Sequence, residues 1–264
     1  MKIALLGYGK MGKMIERIAQ ERGHEIILTV DDKNREDFIS EKLKQADVAI
    51  EFTMPDVAVD NYKWCMECGV PVVSGTTGWL EQWEEVKKCV KEKNGGFFYA
   101  SNFSIGVNIF FRLNKYLAKM MNGFSDYRVF IEETHHIHKM DAPSGTAITL
   151  AEGILDNLTA YHSWKLDEGM PMEPDTVPVT AKRIGEVPGI HGVTYKSAVD
   201  EIEIRHSAFS REGFAQGAVL AAEFMVGKKG LYNMDDLLSD KLSNNTWSIC
   251  KPIILEKKLR VLTL

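Results

Sequence analysis

The sequence predicts an α/β protein, with a Rossmann-type doubly wound parallel sheet and a second α+β domain after it. Three observations carry this. Short β-rich runs alternate with helix-periodic segments through the first hundred residues, and the first strand-to-helix turn reads Gly7-x-Gly9-x-x-Gly12. After about Asn102 the alternation gives way to a different pattern of elements. The 264 residues are 45% hydrophobic and 26% charged, which is enough apolar material for one large domain or two moderate ones.

Taken in order, residues 2–6 are an apolar run of strand length ending at Gly7, and 10–22 have helical periodicity stopped by Gly23. Strands follow at 25–30 and 47–52. A helix over 56–68 ends at Gly69, and 70–73 is strand again. Residues 80–93 read as helix stopped by Asn94, Gly95 and Gly96, and 97–100 closes the series. Repeated strand–helix–strand units need crossover connections, hence parallel strands wrapped by helices. Beyond Asn102, a helix over 105–121 precedes a strand over 127–133, and another helix begins near Ser144. Pro171, Pro174, Pro178 and Pro188 mark 163–190 as mostly loop and irregular strand. Two strands fill 192–207, with alternation in Glu201-Ile202-Glu203-Ile204, and an apolar helix covers 214–226. The expected division is a nucleotide domain over 1–103, to which 213–264 returns, and an α+β domain over 104–212.

A formal net charge of -5 lacks the basic footprint of a nucleic-acid binder, so an anionic ligand must be held by a local cluster of donors. No apolar run approaches the ~20 residues of a membrane span. Met1 and Lys2 lead directly into the first strand, so no secretory signal is expected. Of four cysteines, Cys65 and Cys68 form one C-x-x-C with no second pair to complete a zinc site. Reduced cysteines in a cytoplasmic protein are the expectation.

The spacing of Gly7, Gly9 and Gly12 has a mechanical reason. The first glycine makes a tight turn, the second lets a pyrophosphate approach the backbone, and the third lets helix and strand pack closely. The helix N-terminus then offers N–H groups to the phosphates. Asp31 and Asp32 end the second strand about 20 residues on, where a ribose hydroxyl is expected. Either acid favours NADH, whereas Lys33 and Arg35 suit the extra phosphate of NADPH, and use of both cofactors is expected. Ser74-Gly75-Thr76-Thr77-Gly78 and Ala100-Ser101-Asn102-Phe103 follow later strands, at the edge where such sheets collect ligands. Gly75 admits close backbone approach, and Thr76 and Thr77 supply hydroxyls beside a nicotinamide.

The densest chemistry lies between Glu132 and Ala147, where three of the seven histidines fall within four residues. Strand alternation sends His135 and His136 to opposite faces, so for both to serve one pocket the strand must end or twist there. Pro143 and Ser144 fit a helix start, with Asp141 or Ser144 as the cap. The N–H groups of Gly145 and Thr146 then form an anion site beside Lys139. A histidine, a lysine and a helix N-terminus suit a small carboxylate substrate that must be protonated during reaction. A zinc site from His135, His136 and His138 lacks any standard ligand spacing, and no metal is expected. Glu132 and Glu133 read either as solvated strand residues or as orienters of the histidines.

These residues resemble the 4-hydroxy-tetrahydrodipicolinate reductase family, also called dihydrodipicolinate reductase. The carrying motif is E-x-x-H-H-x-x-K-x-D-x-P-S-G-T-A from Glu132 to Ala147. The resemblance extends to the opening glycines with Met11, to 74–79 and 100–108, and to Arg183, Gly185, Gly189 and His191. Glu203, His206, Ser210, Arg211, Phe214 and Gly217 also match. It implies His135 as proton donor, Lys139 as its catalytic partner, and substrate held by His136, Gly145 and Thr146. It also implies a cofactor lined by Gly7, Tyr8, Gly9, Lys10, Met11, Gly12, Asp31 or Asp32, Gly75, Thr76, Thr77, Ala100, Ser101, Asn102 and Phe103. The implied reaction is hydride transfer from NADH or NADPH to a cyclic dicarboxylate, with loss of water, in lysine and diaminopimelate synthesis. A homotetramer is implied too, with 104–212 binding substrate and oligomerising. The opening loop G-Y-G-K-M-G is one residue shorter than the G-A-x-G-R-M-G of many relatives. Residues 155–182 match the family poorly, and no role is carried into them. Another semialdehyde or amino-acid dehydrogenase would not need the paired histidines before Lys139, and a non-catalytic NAD(P) sensor would have no use for the His135–Lys139 pair.

Overall fold

A computed structural model describes residues 1–244, which build two sheets. The first takes β1 (Lys2–Leu6), β2 (Glu25–Val30), β3 (Val48–Glu51), β4 (Val72–Ser74), β5 (Gly96–Tyr99) and, late in the chain, β11 (Gly230–Tyr232). Their order is β11-β5-β4-β3-β1-β2, and every pairing is parallel. The connections are α1 (Lys10–Glu21), α2 (Ser40–Leu43), α3 (Pro55–Glu67) and α4 (Trp83–Glu92). The expected helix over 80–93 divides into a 3-10 turn, Leu80–Gln82, and α4. From β1 the chain passes to β2 on one side and then to β3 on the other. The crevice between β1 and β3 is therefore the switch point where an open α/β sheet receives its ligand.

Both faces of this sheet are covered, which is why β1 reads as a continuous apolar run. Ile3 and Leu5 pack toward α1 and α7 (Glu212–Met225), while Ala4 and Leu6 pack on the opposite face with residues of α3 and α4. Helix α7 is lined with alanines and lies close enough that a Cβ on Gly217 would overlap the Phe103 carbonyl oxygen. The chain thus returns to the first sheet through α7 and β11, followed by α8 (Met234–Asn244). Residues 245–264 of the expected return lie outside the described residues.

The second sheet contains β6 (Arg128–His135), β7 (Ser163–Leu166), β8 (Thr176–Arg183), β9 (Gly189–Lys196) and β10 (Glu201–Ala208), in the order β10-β9-β6-β8-β7. Helices α5 (Ile105–Met121) and α6 (Gly145–Leu155) cover one face, over Val129, Ile131, Val177, Val179 and Val193. Here the structure corrects the reading of 163–190 as mostly loop and irregular strand. Strands β7 and β8 are regular, and β8 pairs in parallel with both β6 and β7. Pro178 removes one donor from the ladder, but Val177 and Val179 on either side of it are wholly buried. Their burial and the remaining ladder outweigh one missing N–H.

Candidate active site

Two of the cavities at the loops after the parallel strands hold the expected site residues. One, of about 450 Å³, lies at the switch point and is lined by Gly7, Tyr8, Gly9, Asp31, Asp32 and Arg35, together with residues 52–54 after β3. Gly7 has φ +92, and a Cβ there would overlap the carbonyl oxygen of Phe52. A Cβ on Gly12 would overlap the carbonyl oxygen of Gly7, whereas one on Gly9 would meet nothing within 4 Å. Two glycines thus serve packing and the third leaves its backbone open to a ligand, beside the first N–H groups of α1 from Lys10, Met11 and Gly12. Asp31 accepts the Lys33 N–H at 2.8 Å in its own turn, and Asp32 is exposed. Arg35 Nη2 is 3.1 Å from Asn61 Oδ1 at the same cavity.

Beneath these loops lies Glu51, which is fully buried. It accepts hydrogen bonds from Thr53, from Ser74 Oγ at 2.9 Å and from Thr76 Oγ1 at 3.1 Å. Burial pushes its carboxyl above the usual range against these donors. The Thr76 hydroxyl is therefore turned inward, and the phenyl ring of Phe52 fills the space where a Cβ on Gly75 would stand. The side chains of Ala100 and Phe103 are buried as well.

The second cavity, of about 530 Å³, brings Thr77, Ser101 and Asn102 from the ends of β4 and β5 against His135, His136, Lys139, Gly145 and Thr146. Strand β6 ends at His135, so His136 escapes the alternation and both rings reach one cavity. His138 does not join them; it is exposed and its Nε2 lies 3.0 Å from Glu186. Ser144 caps α6 by accepting the Ala147 N–H at 3.2 Å, leaving the amides of Gly145 and Thr146 at the cavity. Lys139 Nζ bridges both oxygens of Asp141, at 2.7 and 2.9 Å, which lowers the Asp141 carboxyl pKa.

The two glutamates have opposite fates. Glu132 faces out and pairs with Lys182 at 2.5 Å. Glu133 is fully buried and accepts the Ser144 N–H at 3.0 and 3.1 Å. Arg183 Nη2 is 3.3 Å away, and His135 Nδ1 and His191 Nε2 each approach to 3.5 Å. Burial pushes the Glu133 carboxyl up, but the contacts with His191 and Ser144 outweigh it and hold it at about 2. Burial dominates for His135, and with the charges of His191, Lys139 and Arg183 it lowers the ring to about 4 against the pull of Glu133. Glu133, His135 and His191 place three metal-capable atoms within 4.8 Å of one another. Both Glu133 oxygens already accept the Ser144 N–H, and the adjacent guanidinium opposes a dication, so the trio suits a proton better than a metal.

Arg183, His191 and His206 matched the family without an assigned role, and the structure gathers all three around this site. They come from β8, β9 and β10, so no local spacing could have found them.

Family models described as Dihydrodipicolinate reductase, N-terminus and Dihydrodipicolinate reductase, C-terminus match residues 1–103 and 106–238. The chain is 49% identical over 244 residues to a 4-hydroxy-tetrahydrodipicolinate reductase of Christiangramia forsetii, covering 92% of this chain and 100% of that one. A protein of the same name from Neisseria gonorrhoeae is 36% identical over 208 residues, 76% of each chain. A solved structure of dipicolinate-bound dihydrodipicolinate reductase from Paenisporosarcina sp. TG-14 shares the fold. Its TM-score is 0.72 at 23% identity, over 88% of this chain and 97% of that one.

Proposed function

Because the chain belongs to the dihydrodipicolinate reductase family, an NAD(P)H-dependent oxidoreductase family of lysine and diaminopimelate synthesis, we propose that its chemistry runs in the 530 Å³ cavity between the two sheets. The overall change is 4-hydroxy-tetrahydrodipicolinate plus NAD(P)H and a proton giving tetrahydrodipicolinate, NAD(P)⁺ and water. The observation that carries the proposal is the meeting of the β4 and β5 loop ends with His135, Lys139 and the α6 N-terminus in that one cavity.

Residues 1–103 with the returning C-terminal elements hold the cofactor, and 104–212 hold substrate. The turn from Gly7 to Gly12 takes the pyrophosphate, Asp31 or Asp32 the ribose, and Thr77, Ser101 and Asn102 flank the nicotinamide end. The residues present fit such a group, since Gly9 leaves open the space a phosphate needs. When bound, NAD(P)H supplies the hydride. The Gly145 and Thr146 amides and Lys139 bind a substrate carboxylate, His136 contacts the ring, and His135 delivers the proton. Asp31 and Asp32 suit NADH and Arg35 suits the NADPH phosphate, so use of both is proposed. Among the described residues no helix covers the other face of the second sheet, where Phe130 is exposed on β6, which supports association of that face in a homotetramer. A cytoplasmic location agrees with the free cysteines Cys65, Cys68 and Cys89.

The test is oxidation of NADH and of NADPH on addition of freshly generated substrate. Tight NADH binding with no oxidation would overturn the proposal. The cofactor assignment has its own check. Gly7→Ala is expected to destabilise the fold by more than about 1 kcal/mol, because its φ is positive and the Phe52 backbone blocks the methyl. Gly9→Ala is expected to leave the melting temperature near wild type while weakening NADH, as read by melting and titration.

A further inference from the structure

We propose that Glu133 is a positioning residue that accepts a hydrogen bond from Nδ1–H of His135, turns Nε2 of that ring toward the substrate, and pins the anion-binding end of α6. This rests on the reading of His135 as proton donor.

The geometry supplies both halves. His135 is 7% exposed, and its Nδ1 is buried without a hydrogen-bond partner among the described residues. A buried N–H or lone pair left unpartnered is costly, and Glu133 Oε2 stands 3.5 Å away to answer it. A shift of about half an ångström makes a normal hydrogen bond, and such catalytic contacts are often long before substrate binds. On the other edge of the ring, Gly189 presents no side chain, and a Cβ there would stand 3.1 Å from Nε2. With Nδ1–H on Glu133, the lone pair of neutral His135 sits on Nε2, the atom that must gain a proton to act as an acid.

The same carboxylate organises the rest of the site. Its oxygens accept the N–H of Ser144, the cap of α6, while Ser144 Oγ lies 3.1 Å from His191 Nε2. Arg183 links Glu133 to the loop carrying Lys139, donating to the carbonyl of Asp141 at 2.6 Å and to that of Lys139 at 3.4 Å. Donor, anion site and lysine loop therefore share one buried anion.

Charge gives this arrangement a use. Burial most of all, and then the charges of His191, Lys139 and Arg183, oppose a positive charge on His135, and Glu133 favours one. In the protein alone the balance leaves the ring neutral at pH 7. A dicarboxylate beside Lys139 and α6 cancels the opposing charges, and His135 then takes up a proton at Nε2 and gives it to the substrate as hydride arrives. Glu133 stays ionised throughout as the counter-charge.

The experiment is Glu133→Gln together with ¹⁵N NMR of the His135 ring in the wild-type protein. The amide oxygen keeps the Ser144 N–H, but the amide nitrogen offers Nδ1 a donor instead of an acceptor, which reverses the tautomer. We expect the Nδ1–H tautomer in wild type. In the variant we expect kcat about 10- to 100-fold lower with KM for NADH little changed. We also expect the alkaline fall of kcat to move to lower pH, because the ring has lost its counter-anion. Glu133→Asp should restore part of kcat. A wild-type ring protonated at Nε2 alone overturns the proposal even where the variant fails to fold. So does a folded Glu133→Gln whose pH profile overlays wild type. A wild-type protein that oxidises no NAD(P)H with substrate removes the functional reading instead, and the tautomer still judges the Glu133 contact.

Discussion

His135→Ala is expected to lower kcat by about 100- to 10,000-fold, the range for loss of a general acid, while NADH affinity changes little. His135 lines the cavity shared with Thr77, Ser101 and Asn102 but not the switch-point cavity with the opening glycines. Stopped-flow NADH binding and steady-state turnover on the same variant separate the two effects, and equal loss of both would remove the proposed division of labour. The pH dependence of wild type follows from the low affinity of His135 for a proton, at about 4, in the protein alone. A general acid works when protonated, so activity falls as pH rises. kcat/KM reports the free protein and kcat the complex. The alkaline fall of kcat therefore lies at higher pH than that of kcat/KM, since substrate carboxylates raise the ring. Coincident profiles would contradict this. Stability has the same sign. A histidine lowered from 6.5 to about 4 and a Glu133 lowered from 4.5 to about 2 make the folded state bind fewer protons than the unfolded chain. Their contributions are fully present above about pH 6.5 and are lost as pH falls, through 6.5 to 4 for His135 and 4.5 to 2 for Glu133.

Lys139→Ala is expected to damage rate and substrate affinity together, because in the proposed role one ammonium supplies both charge and position. Losing a charge-assisted hydrogen bond to a carboxylate costs about 1.5–3 kcal/mol, so KM for the dicarboxylate rises about 10- to 100-fold, with a further loss in kcat. Lys139→Arg restores only part of this, since a planar fork cannot reproduce a point charge held by both oxygens of Asp141. The alanine variant also removes one cation that depresses His135, so the alkaline fall of its kcat/KM moves to higher pH. An unchanged KM would mean that the α6 amides alone hold the carboxylate.

Much of this was legible in the residues themselves, because it depends on local periodicity and backbone mechanics. The nucleotide sheet follows from short apolar runs that alternate with helical segments stopped by Gly23, Gly69 and Asn94-Gly95-Gly96, and the observed strand β1 and helix α1 start where the pattern starts. Gly7 and Gly12 do the steric work their spacing implies, and Ser144 is the helix cap that Pro143-Ser144-Gly145 announces. The motif from Glu132 to Ala147 likewise names its own chemistry, since its histidines, lysine and helix start are neighbours in the chain. Other features depend on what packs alongside. The four prolines of 163–190 read as loop until the burial of Val177 and Val179 against α6 makes a strand of their surroundings. Glu132 and Glu133 are the same residue type side by side, and only the pleat of β6 sends one to solvent and the other beneath the cap of α6. Arg183 and His191 reach Glu133 from strands about 50 to 60 positions away in the chain. Local sequence thus determined which reaction class the protein serves. The proton environment of His135 was decided by the tertiary structure, because burial and charge act through space and not along the chain.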